Sequence, residues 1–412
     1  MRGLMSSVRA RLKNYKQLLR FRKPILNNID RRLSRAHTIY DLRAIAKKRT
    51  PIGPFDYTDG AAEGEISLSR ARRAFEDIEF QPRVLRDVSQ VDLAVDLLGK
   101  RMHMPVGIAP TGFTRMMNTD GEIAASRIAQ NLSIPFALST MGTASIESVA
   151  QASPNGSNWF QLYLWKDREK SLSLIKRAQE AGYDGLILTV DAQVAGQRLR
   201  DVRNGLTVPP SLSTKTILNA IPRPAWWLNF LLKEPLVFAS LESWNGTVAE
   251  LMNTMFDPSM TFDDLDWIRK VWNGNLLIKG IQNADDAKRA VKHGADAIWL
   301  SNHGGRQLDK APIPFEMIPF VRKAVGKSTP IHIDTGIMNG ADIVAAIAKG
   351  ANFTWVGRAY LYGLMAGGSR GVSRSFEILE SQMIRTLKLL GVQSVSELDS
   401  SMVRFLKERV EA

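Results

Sequence analysis

The 412-residue sequence contains no cysteine. That excludes disulfides, thiolate metal sites and cysteine nucleophiles, and it is compatible with a reducing compartment. Histidine is scarce too: five imidazoles leave few candidates for proton chemistry. No apolar run approaches the ~18 residues of a helical membrane span, and the N-terminus lacks the apolar core of roughly 7–15 residues that a secretory signal requires. Neither G-x-G-x-x-G nor a P-loop occurs, which removes two common Gly-rich nucleotide cradles. Zinc-ligand spacings and aromatic stacking motifs are also missing, so a metal site and nucleic-acid binding have no support. Acidic residues are nearly absent from one region only. Residues 1–50 hold 15 Lys or Arg against 2 Asp or Glu, a local charge of +13, while the remaining 362 residues carry 40 basic and 39 acidic side chains. The chain therefore reads as a near-neutral protein with a basic arm over residues 1–37, suited to an anionic surface. A transit peptide is disfavoured because the basic character runs unbroken to Arg49.

Eight short apolar segments recur along the chain: Pro105–Pro110, Pro135–Thr140, Trp159–Leu164, Gly185–Asp191, Leu276–Gly280, Ala297–Asn302, Pro330–Asp334 and Phe353–Arg358. Near-continuous apolar runs without strict alternation fit parallel strands buried on both faces. Helical patterns at Ser171–Ala181, Ala284–His293 and Ala341–Lys349 each precede a glycine in the C′ position. Eight strand–helix repeats predict an α/β fold, a (β/α)8 TIM barrel. It would occupy residues 38–390 with an N-terminal capping segment. One interval is too long for a simple crossover, and residues 204–263 are predicted to form an insertion or lid after the fourth strand. Helices are predicted over Ser373–Leu390 and Val395–Glu411, the second as a C-terminal helix within residues 391–412.

Barrels of this kind carry their active sites at the C-terminal ends of the strands. The strongest local signal there is SNHGGRQLD (Ser301–Asp309), which leaves an apolar strand and turns on two glycines. It presents an imidazole, His303, three residues before a guanidinium, Arg306. The first can take a proton near neutrality and the second can grip a carboxylate with two prongs. The pair reads as a base plus a carboxylate anchor. His37, His103, His293 and His332 are better explained structurally.

With FDYTDGAAE (Phe55–Glu63), PVGIAPTGF (Pro105–Phe113), NWFQLYLWKDR (Asn158–Arg168), LTVDAQVAGQRLRD (Leu188–Asp201) and DTGIMNGADIVAAIAKGA (Asp334–Ala351), the chain resembles the FMN-dependent 2-hydroxy acid dehydrogenases and oxidases. The likeness runs from about Thr38 to Leu390 and is greatest towards the bacterial respiratory, quinone-dependent L-lactate dehydrogenases. The resemblance implies FMN as cofactor, L-lactate as substrate, a quinone as electron acceptor and a homo-oligomer, with a tetramer the family pattern. It implies that His303 is the base and that Asp191 pairs with it. Tyr57, Tyr163, Arg198 and Arg306 would bind substrate. Pro110, Thr111, Gly112, Ser139, Gln161, Thr189, Lys279 and Ser301 would line the flavin, with Lys279 at the ring edge where reduction builds negative charge. Asp334, Thr335, Gly336, Ile337, Met338, Asn339 and Gly340, with Gly357 and Arg358, would hold the phosphate. Independently, barrels often bind phosphate at the loops after strands seven and eight.

Three positions depart from the commoner pattern. Met338 stands where many members have an arginine, leaving Arg358 and backbone N–H groups as the expected phosphate partners. Ala192-Gln193 replaces Thr-Pro, which could shift Arg198. Gly112 replaces alanine, which could open room for a bulkier substrate. Two rival functions are an oxidase that returns electrons to oxygen and a barrel that only binds FMN. A final expectation concerns location. The basic arm and AWWLNFLLK (Ala225–Lys233) together suggest peripheral attachment to the cytoplasmic face of a membrane, with Trp226, Trp227 and Phe230 as the interfacial side chains.

Overall fold

The eight apolar segments form the eight parallel strands of one closed barrel. The structure is a computed structural model and describes residues 25–205, 207–208, 218–233, 238–239, 246–247, 250, 253 and 256–406. In chain order its strands are β1 (Ile78–Phe80), β2 (Val95–Leu97), β3 (Lys100–Met102), β4 (Val106–Ile108), β5 (Pro135–Ser139), β6 (Ser157–Leu162), β7 (Gly185–Thr189), β8 (Thr207–Val208), β9 (Gly246–Thr247), β10 (Asn275–Ile281), β11 (Ala297–Leu300), β12 (Ile331–Ile333), β13 (Phe353–Val356) and β14 (Val403–Phe405). The barrel runs β4-β5-β6-β7-β10-β11-β12-β13 and closes through β13 and β4. Every residue of β4, β5, β6, β7, β11, β12 and β13 is buried, which is why these segments read as continuous apolar runs rather than alternating ones.

The crossover helices begin at polar caps. Asp167 caps Arg168–Glu180, Asn283 caps Ala284–Lys292, and Asn339 forms a reciprocal box with Asp342 at Gly340–Ala348. They end at glycines in left-handed conformation, as at Gly182 (φ 73°) and Gly350 (φ 113°). Side chains fill the barrel interior. Trp159, Trp299, Phe353 and Trp355 meet there, with Trp299 stacked on Trp355 at 4.6 Å between ring centroids. Leu97 and Met102 from the β2–β3 hairpin belong to the same cluster. His332 lies within this cluster's rings, where burial pushes its pKa down to about 3, so it is a neutral core residue as expected. His103 pairs with Glu380 at 2.7 Å and His293 with Asp266 at 3.0 Å, which fits their structural reading.

Two predicted boundaries are corrected. The basic arm does not extend to residue 37. Asn28–Leu33 is a helix that packs on the long C-terminal helix, with Leu33 buried and the Arg32 guanidinium bonded to the Ala366 carbonyl. Residues 1–24 lie outside the described residues. Nor does a helix start at Val395. The chain makes two 3-10 turns, Val395–Glu397 and Ser400–Met402, and then β14, which pairs antiparallel with β1. Val395, Met402 and Val403 are buried, so this apolar pattern serves a tail folded onto the cap. The predicted helix from Ser373 is the second half of Arg358–Leu390, which breaks at Gly367 and Gly368. The insertion over residues 204–263 is described only in part, and contains the helix Pro224–Leu231 and the β8–β9 pair.

Gly185 shows how tightly the barrel interior is filled. A Cβ there would lie 1.9 Å from the Trp159 ring, which belongs to the neighbouring strand. Gly185→Ala is expected to lower the urea midpoint without changing the slope, at the cost of about 1–3 kcal/mol typical of overpacking. A midpoint equal to that of the parent would mean that Trp159 has space to move.

Candidate active site

A cavity of about 470 Å³ opens at the C-terminal ends of the strands. Of the predicted site residues, all but Asp191, Ser301, Asn339 and Gly340 line it. Cap and barrel contribute together: Tyr57 comes from the helix Ile52–Asp59, and the rest from strand ends and the loops that follow.

His303 leaves β11 in a 3-10 turn with φ 59°, a conformation that non-glycine residues rarely adopt and that clusters at functional sites. Its backbone N–H donates to Ser301 Oγ at 3.0 Å. Its Nδ1 lies 2.9 Å from Asp191 Oδ1, and its Nε2 lies 3.2 Å from the Tyr163 hydroxyl. Asp191 is almost wholly buried behind the ring, and Gly280 makes room for it: with φ 107°, it would place a Cβ 2.7 Å from the Asp191 Cβ. Burial opposes ionisation of Asp191, but His303 and Lys279 outweigh it and hold the carboxyl below its ordinary pKa. Burial likewise pushes the imidazole pKa down, and Asp191 only partly offsets this while Lys279 adds to it. A carboxylate at Nδ1 keeps the proton on that nitrogen and leaves the Nε2 lone pair for the cavity. Ser301 and Asp191 thus act behind the wall, one on the backbone of His303 and the other on its ring.

Two guanidiniums flank Tyr57. Arg306 stands 4.7 Å from the ring centroid and Arg198 5.9 Å. Arg306 donates to the carbonyls of Tyr57 and Gly60, and burial, with Arg198 next, pushes its pKa down to about 10, still cationic at neutral pH. Arg198 stands at the N-cap position of the helix Leu199–Asn204, which Arg200 staples to Asp59 and Glu65. Ala192-Gln193 therefore does not displace Arg198 from the cavity. Burial raises the Tyr163 pKa, so its phenol stays a donor.

Across the floor runs a chain of neutral polar groups. Ser139 Oγ donates to Gln161 Oε1 at 2.9 Å, and Gln161 Nε2 to Thr189 Oγ1 at 2.9 Å. Lys279 Nζ bonds Ser301 Oγ at 3.0 Å and lies 3.4 Å from Asp334 Oδ2. Such a rail of donors and acceptors beside a buried cation suits the polar edge of a flat heterocycle.

The opposite end differs from expectation. Asn339 and Gly340 do not line the cavity. Asn339 caps its helix, and Gly340 is pressed against the long helix, where a Cβ would lie 2.4 Å from the Leu379 carbonyl oxygen. The N–H groups of Met338 and Asn339 donate to Asp342 rather than into the cavity. Arg358 does line it, yet donates to the carbonyls of Thr58, Gly60 and Gly304. Thr335 (φ 71°) and Gly336 (φ 89°) turn the chain at this end. Arg72, from the cap helix Ile66–Glu76, also reaches the cavity and bonds both Asp342 and the Gly336 carbonyl. No sequence signal separates it from the other arginines of its helix. Gly112 does not open extra room either, because Met141 occupies that space, 2.9 Å from where a Cβ would stand.

A flat ring over the polar rail and an anionic group towards Arg358 would both be accommodated, so the residues present fit FMN. The comparisons agree. A family model described as FMN-dependent dehydrogenase matches residues 46–405. A Mycobacterium tuberculosis protein with the provisional name L-lactate dehydrogenase is 55% identical over 397 residues, covering 96% of each chain. An L-lactate dehydrogenase of Vibrio cholerae is 38% identical, covering 87% of this chain and 96% of its own. Among solved structures, a monotopic membrane protein, (S)-mandelate dehydrogenase, superposes with a TM-score of 0.86 at 37% identity, over 90% of this chain and 100% of its own. A mandelate oxidase does so at 0.77 and 32%, over 90% and 98%.

The His303–Asp191 pair generates a pH prediction. Asp191 raises the imidazole pKa, so Asp191→Asn should let burial and Lys279 lower it further. A base works when neutral, and activity is lost as pH falls through its pKa. The acid limb of kcat/KM for a 2-hydroxy acid should therefore move to lower pH, while the rate at neutral pH falls roughly 10²–10⁴-fold as the tautomer is lost. A limb that moved upward would contradict the pairing.

Proposed function

The chain belongs to the FMN-dependent dehydrogenase family, and from that premise we propose that it oxidises L-lactate to pyruvate and passes the electrons to a quinone. The observation that carries the reading is His303, its Nδ1 fixed by buried Asp191, its Nε2 beside the Tyr163 hydroxyl, and two guanidiniums in the same cavity. Arg198 and Arg306 hold the substrate carboxylate, with Arg306 pre-aimed by two carbonyls. Tyr57 and Tyr163 bond the substrate oxygens. His303 Nε2 takes the hydroxyl proton, and Asp191 balances the imidazolium that results. FMN supplies the acceptor for the hydrogen and electron pair leaving the substrate carbon. Ser139, Gln161, Thr189 and Lys279 would hold its ring, where the Lys279 ammonium would favour the anionic reduced form. Gly357, Arg358 and the turn at Thr335–Gly336 would hold its phosphate. Lactate is the substrate favoured by the relatives named L-lactate dehydrogenase.

Quinone use would place the protein at a membrane. No helix among the described residues is long and apolar enough to cross one. The reading instead rests on the insertion helix Pro224–Leu231. Leu228, Leu231 and Leu232 are exposed on and just after it, Leu218 and Ile221 are exposed before it, and Arg223 and Lys233 flank it. The expected tryptophans play another part: Trp226 Nε1 donates to the Met116 carbonyl at 3.1 Å, tying the helix to the barrel, and Trp227 is only partly exposed. The Phe230 side chain lies outside the described residues. Exposed leucines beside basic residues suit the headgroup–acyl boundary, and the basic residues before position 24 add attraction to anionic lipid.

Anaerobic addition of L-lactate to the purified protein should bleach the FMN absorbance faster than glycolate or (S)-mandelate does. A soluble quinone should restore it quickly and air slowly. His303→Gln should keep its FMN and reduce it about 10²–10⁴-fold more slowly. Rapid recovery in air would identify an oxidase, and a variant reducing at the parent rate would remove His303 from the chemistry.

Co-sedimentation with anionic liposomes tests the membrane reading. The full chain should pellet at low salt and release as salt rises, since exposed charges are screened beyond ~10 Å at 0.1 M. Deleting residues 1–23, or changing Leu228, Leu231 and Leu232 to serine, should each weaken pelleting. A full chain that stays in the supernatant at low salt would refute attachment and leave the hydroxy-acid chemistry standing.

A further inference from the structure

The long connection between β7 and β10 reaches the barrel mouth at Asn253 and again at Phe256 and Asp257, and there it meets two elements of the proposed site. Phe256, 2% exposed, stacks on Tyr163 with 4.3 Å between centroids and 27° between planes. The Tyr163 ring also lies within 18° of parallel to His303, with 6.3 Å between centroids, and meets the imidazole through its hydroxyl, so Phe256 covers the face of the tyrosine and His303 meets its tip. The backbone fixes this placement. Phe256 bridges Trp165, the Asp257 N–H donates to the Leu164 carbonyl at 3.1 Å, and the Asp257 carboxylate pairs with Arg168 at 2.6 Å. Three residues earlier, Asn253 Oδ1 accepts the Ala195 N–H at 3.0 Å on the loop leading to Arg198, and the Asn253 carbonyl accepts from Lys166.

We propose that Phe256 is a positioning residue for the oxidation step: its ring holds the plane of Tyr163 and so aims the phenol hydroxyl at His303 Nε2 and the bound substrate. The inference rests on the role given above to Tyr163. A tyrosine hydroxyl sits far from its Cα, so a swing of about 10° moves it roughly 1 Å, a displacement that can cost on the order of 100-fold in rate. His303 restrains the ring through one 3.2 Å hydrogen bond, to an atom that takes up a proton in the proposed reaction. Phe256 restrains it by a flat apolar contact that is indifferent to protonation. Asn253, on the same returning segment, ties down the Arg198 loop, so one stretch of the insertion braces both the tyrosine and a carboxylate-binding arginine.

A double-mutant cycle separates aiming from ordinary packing. The rate of FMN reduction by saturating L-lactate would be measured in the full-length holoenzyme for the parent, Phe256→Leu, Tyr163→Phe and the double variant, with FMN content and thermal midpoint followed in each. Leucine keeps apolar bulk and removes the flat face. Phe256→Leu should retain FMN and reduce about tenfold more slowly, and Tyr163→Phe should also be slow. The double variant should fall no more than about twofold below Tyr163→Phe, because no hydroxyl remains to be aimed. Rates that multiply, or a Phe256→Leu rate equal to the parent's, would overturn the inference while leaving the Tyr163 reading intact. A Tyr163→Phe rate equal to the parent's would overturn both. Should the leucine variant fail to fold, Phe256→Met carries the same cycle with the same outcomes.

Discussion

The site depends on one buried contact, the 2.9 Å hydrogen bond between Asp191 and His303. A carboxylate this deep requires compensation, and it receives it from the imidazole and from Lys279. The local backbone bends to permit the contact. Gly280 adopts φ 107° where any side chain would strike Asp191, and His303 itself takes a left-handed turn. Ser301 holds the His303 N–H, and Arg358 clamps the Gly304 carbonyl just beyond. Strained dihedrals persist only where surrounding structure over-determines them, and here four residues from four strand ends converge on the turn that carries His303.

The cap completes the arrangement. Asp59, nearly inaccessible, accepts from Arg43, Arg200 and the Tyr362 hydroxyl. Those partners belong to the cap helix Ile39–Arg49, the helix after Arg198 and the long helix Arg358–Leu390. A single carboxylate thereby locks together the elements that carry Tyr57, Arg198 and Arg358. Removing one partner from such a buried cluster leaves a charge uncompensated, so the cluster resists partial opening. The insertion adds a second brace from above, through Phe256 on Tyr163 and Phe238 on Phe113.

Most of the barrel was legible because it obeys a simple rule. Strands buried on both faces must be apolar throughout, and the polar residues that interrupt them at their C-terminal ends stand out. His303 was visible for the same reason, as an imidazole leaving an apolar strand through two glycines. Asp191 and Ser301 also end strands, but only distance shows that they act from behind the cavity wall. Asn339 and Gly340 sit in a motif, yet Asn339 is spent on capping its helix and Gly340 is pressed against the long helix. Phe256, Arg72 and Asp59 were not legible, because each acts through a partner far away in sequence. The C-terminal tail misled because an apolar spacing that fits one helical face also fits 3-10 turns and a short strand.

The arginines sort themselves by what holds them. Arg43, Arg200 and Arg72 are paired with Asp or Glu carboxylates, which cancel their charge where it stands. Arg306 and Arg358 are held by backbone carbonyls. A carbonyl orients a guanidinium but is a dipole, so the unit charge remains available to an anion entering the cavity, and no competing carboxylate has to be displaced. The two carbonyl-held arginines share the Gly60 carbonyl, with Arg306 beside Tyr57 and Arg358 beside Gly304, so two cations stand close together on the wall of one cavity. Two cations held by dipoles suit a cavity that must accept anions. The arrangement also accounts for tolerance of Met338. The loop beneath it already directs two N–H groups to Asp342, and Arg358 retains its charge at the cavity without a second arginine to assist it.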